Sequence, residues 1–190
     1  QPTYDIRGFI VDAQYGAAGT MINDKPILGD MGWLAAHTDV QVICGVGDPH
    51  IRQQLIERAS IYDVKYCTLV HPRAIITKWV QIDKGSIITA GCILTNQIRI
   101  GKHVHLNLDT TVGHDCVIDD FVTISPGVHC SGNVTIGTGS FIGTGANIVE
   151  KIMIGSWSVV GAGSVIIKDV PKGSTVVGVP GKVIKNEQDT

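Results

Sequence analysis

Seventeen positions spaced six apart, from Val70 to Ile166, carry an aliphatic residue with one exception, Cys130. The series runs Val70, Ile76, Ile82, Ile88 and so on to Val160 and Ile166 without a slip. A strict six-residue beat predicts a parallel β-helix of hexapeptide repeats. Each hexapeptide forms one short flat face, its aliphatic residue pointing inward onto the residue one coil away. Two residues earlier a second inward position is mostly small: Ser86, Cys92, Thr110, Cys116, Ser140, Ala146, Ser158 and Ser164. Gly101, Gly113, Asp119, Gly137, Gly143, Gly155 and Gly161 follow the aliphatic directly and are expected to supply the backbone angles of the corners. Three hexapeptides close a triangular coil of 18 residues, so the span holds roughly five coils. No coil buries its apolar face alone; stability comes from stacking neighbours.

Residues 1–66 have another texture. Ile6–Val11 reads as a strand ending at Asp12, 16–23 as a loop, and Pro26–Gly29 as a short extended piece. Asp30 to His37 reads as a short helix with Asp30 at its N-cap. Val40–Val46 reads as a buried strand. Asp48-Pro49 opens a helix to about Ala59, with Ile51, Leu55 and Ile56 as its apolar face. Strand, helix, strand, helix is α/β texture. The fold class is therefore mainly β: a small α/β lobe over 1–66, then a β-helix with a C-terminal tail over 67–190. The period is lost from Lys168, and residues 186–190 are expected to be loose.

Composition narrows the partners. A net charge of −2 without a run of one sign argues against nucleic acid or an anionic membrane. Five cysteines form no CxxC pair, which fits reduced, buried thiols in a cytoplasmic protein. No signal peptide or apolar run of membrane length is present. The chain begins with Gln, which points to a missing or processed upstream piece.

His114-Asp115 is the sharpest chemical feature. It follows Val112-Gly113, at a coil corner where side chains are displayed outward. Imidazole is the usual general base, and an adjacent carboxylate holds its tautomer. A solvated surface histidine is the plain alternative. His103, His105 and His129 are nearby, and some hexapeptide proteins, the γ-class carbonic anhydrases, bind zinc with three histidines; that spacing is not reproduced, so no metal is expected and surface histidines are. Glycines between 127 and 145 are corner residues first, yet they also expose N–H groups suited to a thioester oxygen.

These pieces converge on a family. The chain resembles the hexapeptide-repeat sugar acetyltransferases, the sialic acid O-acetyltransferase and bacillosamine-type sugar-nucleotide N-acetyltransferase group. The matching motifs include Gly8–Asp12, Pro26–Asp30, Val46-Gly-Asp48, His71-Pro72, Val112-Gly-His-Asp-Cys-Val-Ile118, Cys130–Gly137, Val160–Val165 and Gly178-Val-Pro-Gly-Lys182. They span nearly the whole chain in order. The resemblance implies a left-handed β-helix, a homotrimer, and acetyl-CoA as co-substrate in the groove between neighbouring helices. It implies that His114 takes the acceptor's proton, Asp115 orients it, and Gly132 holds the thioester oxygen. Asn107 then touches the sugar, Ala162 lines pantetheine, and Pro180 and Lys182 lie near the adenine. The lobe would hold a sugar nucleotide, with Asp12 a candidate contact, although the family's first strand and glycine-rich turn are absent here. Relatives carry a second histidine where this chain has Thr123, so Thr123 receives no acid–base role. The expected function is acetyl transfer to the amine of a nucleotide-linked amino sugar. A sugar hydroxyl acceptor and a non-catalytic trimeric sugar-nucleotide-binding scaffold are the alternatives.

Overall fold

A computed structural model of the chain describes residues 4–186. The expected loose end lies, from residue 187 on, outside the described residues.

The lobe begins with β1 (Phe9–Ile10), β2 (Met21–Ile22) and β3 (Lys25–Gly29), which form a small sheet in the order β1-β3-β2. A 3-10 helix over Met31–Ala36 follows, and the Asp30 carboxylate accepts from Gly32 N–H as an N-cap should. β4 covers only Gln41–Val42 and pairs with β5 (Lys65–Tyr66). The buried strand expected over Val40–Val46 is therefore short and half-exposed. The rest of that run is a loop whose carbonyls are needed elsewhere. Helix α1 (Pro49–Ala59) starts where the sequence places it, with Asp48 accepting from Ile51 N–H at 3.0 Å.

From Leu69 the chain winds into the coil. Up to Ile166, strands pair in parallel with the one 18 residues on, as in Leu94↔Val112, Val112↔Cys130 and Cys130↔Ile148. Three sheets result, of eight, six and five strands. The first face runs from Leu69–Val70 to Ser174–Val177, the second from Ile75–Ile76 to Val165–Ile166, and the third from Val80–Ile82 to Met153–Ile154. Corners are numbered by the face they follow. The hexad aliphatics from Ile88 onward are buried, whereas Val70, Ile76 and Ile82, in the end coil with one neighbour, are only partly so. A fully covered Ile contributes about 1.5–3 kcal/mol, so this column dominates stability. The register shortens by two residues after Ile166: Val160 pairs with Val176, and Ile154 bridges to Val170. An antiparallel hairpin with Lys182–Asn186 ends the described chain.

Corner chemistry differs from the expectation in one respect. Positive φ falls three residues after each aliphatic from Ile82 to Val160, the non-glycine cases being Gln97, His103, Asp109, Asp115, Phe121, Asn133, Lys151 and Trp157. The glycines directly after the aliphatic serve space instead. A Cβ on Gly143 would lie 2.5 Å from Ala162 N, and one on Gly113 2.7 Å from Gly132 N. Those corners stack too closely for any side chain.

A buried arginine anchors the lobe to the coil. Arg52 is fully buried on α1, while its neighbour Ile51, expected to face the core, is half-exposed. The Arg52 guanidinium donates to the carbonyls of Val46 (2.7 Å), His103 (2.9 Å) and Phe121 (2.6 Å) and to Thr123 Oγ1 (2.9 Å). Thr123 Oγ1 in turn donates to Gly47 O. No carboxylate takes part, and burial pulls Arg52 down to about 10. His50 stacks on Trp157 at 4.4 Å, so Trp157 belongs to this junction rather than to a free coil surface.

His103 and His105 are buried beneath the lobe, contrary to the surface placement expected. Burial, and then the Arg52 charge, lowers each from an ordinary 6.5 to about 4. The native state therefore binds fewer protons than the unfolded chain between those values. Above pH 6.5 both states hold neutral rings; below it, stability falls with pH. Thermal melts should decline between pH 6.5 and 4, and a melting temperature flat across that window would contradict this burial.

Candidate active site

His114 sits on the second corner, straight after the strand Thr111–Val112. Gly113 before it admits the next coil; Asp115 after it adopts φ +59°. That left-handed turn brings adjacent side chains together, which an extended strand forbids. His114 Nδ1 lies 2.7 Å from Asp115 Oδ2. With Nδ1–H donated to the carboxylate, Nε2 is the free acceptor. Both side chains are open to solvent, at 61% and 44% exposure.

Gly132 occupies the same corner one coil on. A Cβ there would come within 2.5 Å of His114 Nε2. This ring nitrogen thus lies against a corner residue that carries no side chain. The flanking N–H groups are engaged, Ser131 with Ile148 O and Asn133 with His114 O. The Gly132 N–H has no acceptor among the described residues. This is a property of the repeat. The second residue of each corner leaves its N–H out of the ladder, and so Pro72 and Pro126 are tolerated at equivalent positions. Lys102 is an exception, since its N–H finds Asp120 Oδ1. Among these second positions Gly132 alone lacks a side chain, and the space a Cβ would take lies against the His114 ring.

The remaining candidates lie elsewhere. Asn107 and Ala162 are on the first corner, Asn107 donating through Nδ2 to Ile124 O at 2.9 Å with its Oδ1 left over, and Ala162 exposed three coils further on. Pro180 and Lys182 are in the C-terminal hairpin, both exposed. Asp12 is held by Arg58 in a two-pronged pair at 2.8 and 3.1 Å, which lowers its carboxyl below the ordinary range. One chain brings together His114, Asp115 and Gly132. It keeps Asn107 and Ala162 at the opposite end of the second face. His129, on that face, pairs with Thr111 Oγ1 at 2.8 Å. With His103 and His105 in the junction, the histidines do not converge, and no group of three or more metal-ligating side chains occurs among the described residues. Thr123 is absorbed by the Arg52 clamp.

Sequence reasoning missed Arg52 as the clamp and a cationic hollow around Trp79. An arginine beside the motif Val46-Gly-Asp48, and a tryptophan at an exposed corner, were the available signals.

No protein-family model matches the chain. It is 32% identical over 136 residues to GDP-perosamine N-acetyltransferase of Escherichia coli. That match covers 71% of this chain and 62% of that protein, less than two thirds of its length. Among solved structures, the acetyltransferase domain of PglB from Neisseria gonorrhoeae is 36% identical, with a TM-score of 0.86 over 93% of this chain and 86% of that one. A mutant perosamine N-acetyltransferase from Caulobacter crescentus, solved with CoA and GDP-perosamine, is 27% identical, with a TM-score of 0.87 over 93% and 84%. The coil is the left-handed β-helix of those enzymes. On this agreement of sequence, coil and corner geometry, the chain belongs to the hexapeptide-repeat sugar N-acetyltransferase family.

Proposed function

We propose that the chain moves the acetyl group of acetyl-CoA to the amine of a nucleotide-linked amino sugar. The observation that carries this is His114 Nε2, free and seated against Gly132, whose N–H has no partner among the described residues. A base and an oxyanion donor thus share one corner. The acceptor amine attacks the thioester carbonyl as His114 takes its proton. Gly132 N–H meets the oxygen that becomes negative. The C–S bond then breaks, and the CoA sulfur leaves with the proton that His114 returns. Solved relatives carry acetyl coenzyme A, or CoA with GDP-perosamine, which supports this pair of substrates.

The working unit is a homotrimer in this reading. Asn107 and Ala162 join His114 only if the first corner of one copy meets the second corner of the next. The second face between those corners would then line the axis, and its exposed Ile75 and Ile93 fit such burial. Pro180 and Lys182 would close the adenine end of that groove, and the lobe, through Asp12 or its neighbours, would hold the nucleotide. No helix among the described residues is long and apolar enough to cross a membrane, and five free cysteines accord with a cytoplasmic setting.

Thiol release from acetyl-CoA over UDP-, dTDP- and GDP-linked amino sugars tests the reading; failure with every amine would overturn it. Gly132→Ala gives a sharper check. The added methyl meets the far end of a movable ring rather than backbone, so the coil should melt normally. Activity should drop about 10-fold or more, because a misplaced base forfeits much of its acceleration. Full activity in that variant would remove Gly132 from the site.

A further inference from the structure

Trp79, Gln97 and Asp115 occupy one corner position on successive coils, and Lys78, Asn96 and His114 the position before it. The Asp115 N–H bonded to Asn96 O at 3.0 Å ties the two coils at this point. Two coils before His114, this corner opens into a hollow of about 510 Å³ lined by Lys78, Trp79, Gln81, Gln97, Ile98 and Arg99. Its floor is buried Ile98; its walls hold an ammonium, a guanidinium and two amides. No carboxylate lines it. Lys78 Nζ lies 4.0 Å over the Trp79 ring, which fixes the cation at the rim. Neither Lys78 nor Arg99 forms an ion pair among the described residues. Asp119 and Asp120 lie in the neighbouring hollow, which Arg99 also borders. There burial and then Asp120 raise the Asp119 carboxyl while Arg99 lowers it.

We infer that this hollow takes the diphosphate of the acceptor sugar nucleotide, an inference that rests on the transfer reading above. Coils stack at about 4.8 Å, so Lys78 lies about 10 Å from His114 along the helix. One sugar ring fills that gap, its amine at His114 and its phosphate-bearing end at the cations. The Arg99 fork suits two phosphate oxygens at once, and Lys78 adds a point charge. Gln81 and Gln97 present amides to sugar or ribose hydroxyls.

The test is calorimetric titration of the intact protein with UDP and with GDP, comparing wild type with the double variant Lys78→Gln, Arg99→Gln. Both changes are on exposed side chains, so the melting temperature should hold. The variant should bind the diphosphates about 10-fold or more weakly, from loss of charge-assisted bonds, and its KM for the nucleotide-linked acceptor should rise in step while that for acetyl-CoA stays. Binding does not require turnover, so loss of nucleotide affinity in the variant supports the hollow even if no acceptor is found. Equal binding by variant and wild type, or no binding by wild type, overturns it and leaves the transfer reading to its own assay. An unchanged KM in an active enzyme overturns it as well.

Discussion

His114→Ala is expected to lower kcat about 10²- to 10⁴-fold, the contribution of a positioned general base, while the protein melts as the wild type does. The ring is exposed, and its side-chain bond is to Asp115 rather than to the core. Its loss therefore removes no packing. The KM for acetyl-CoA should change little, since neither the hairpin nor the first corner is touched. Asp115 needs a more careful replacement. Its φ of +59° is one that asparagine tolerates and alanine resists. Asp115→Asn keeps the corner and withdraws the charge that holds the Nδ1 proton, so activity should fall without loss of fold. Asp115→Ala mixes that effect with backbone strain. Steady-state kinetics beside thermal melts separate these cases. An His114→Ala enzyme with near-full kcat would sink the mechanism.

Arg52→Ala should destabilise the protein by about 3 kcal/mol or more. The guanidinium satisfies carbonyls at Val46, His103 and Phe121, and a buried acceptor left bare costs about 1–3 kcal/mol. Lysine does not rescue it. An ammonium has three donors around one atom and cannot span oxygens contributed by the loop at Val46 and two successive coils. The damage should be local to the junction. The lobe should become protease-sensitive at lower temperature than the coil, whose stacked aliphatics are untouched. Denaturation curves and limited proteolysis of Arg52→Ala and Arg52→Lys check this; wild-type curves for both would show the clamp to be dispensable.

The coil was legible because each inward residue meets its partner 18 residues on, a regularity visible in Leu94, Val112, Cys130 and Ile148 alone. His114-Asp115 was legible because a corner position lets sequence neighbours touch. The junction was not. Arg52 looks like a solvated charge beside Ile51, and its burial depends on contacts 51 to 71 residues away. His103 and His105 sit where the repeat displays side chains outward, and only the lobe's placement makes them interior. The corner glycines were found for an incomplete reason: the sequence marks them as turn formers, whereas the spacing between coils excludes their side chains. A six-residue count alone treats all corners alike, but counted by the coil of 18, Asn107 and Ala162 fall on one corner and His114 and Gly132 on another.

The constant rise of the coil makes it a ruler with fixed graduations. Any two groups on one corner are separated by a whole number of steps of about 4.8 Å. A duplication or deletion of 18 residues moves such groups apart or together by one graduation and leaves the pattern of contacts along every inward column intact. Reach along the corner between Trp79 and His114 therefore changes in jumps rather than by degrees. A chain of this design can trade one length of acceptor for another in a single genetic event without repacking its core.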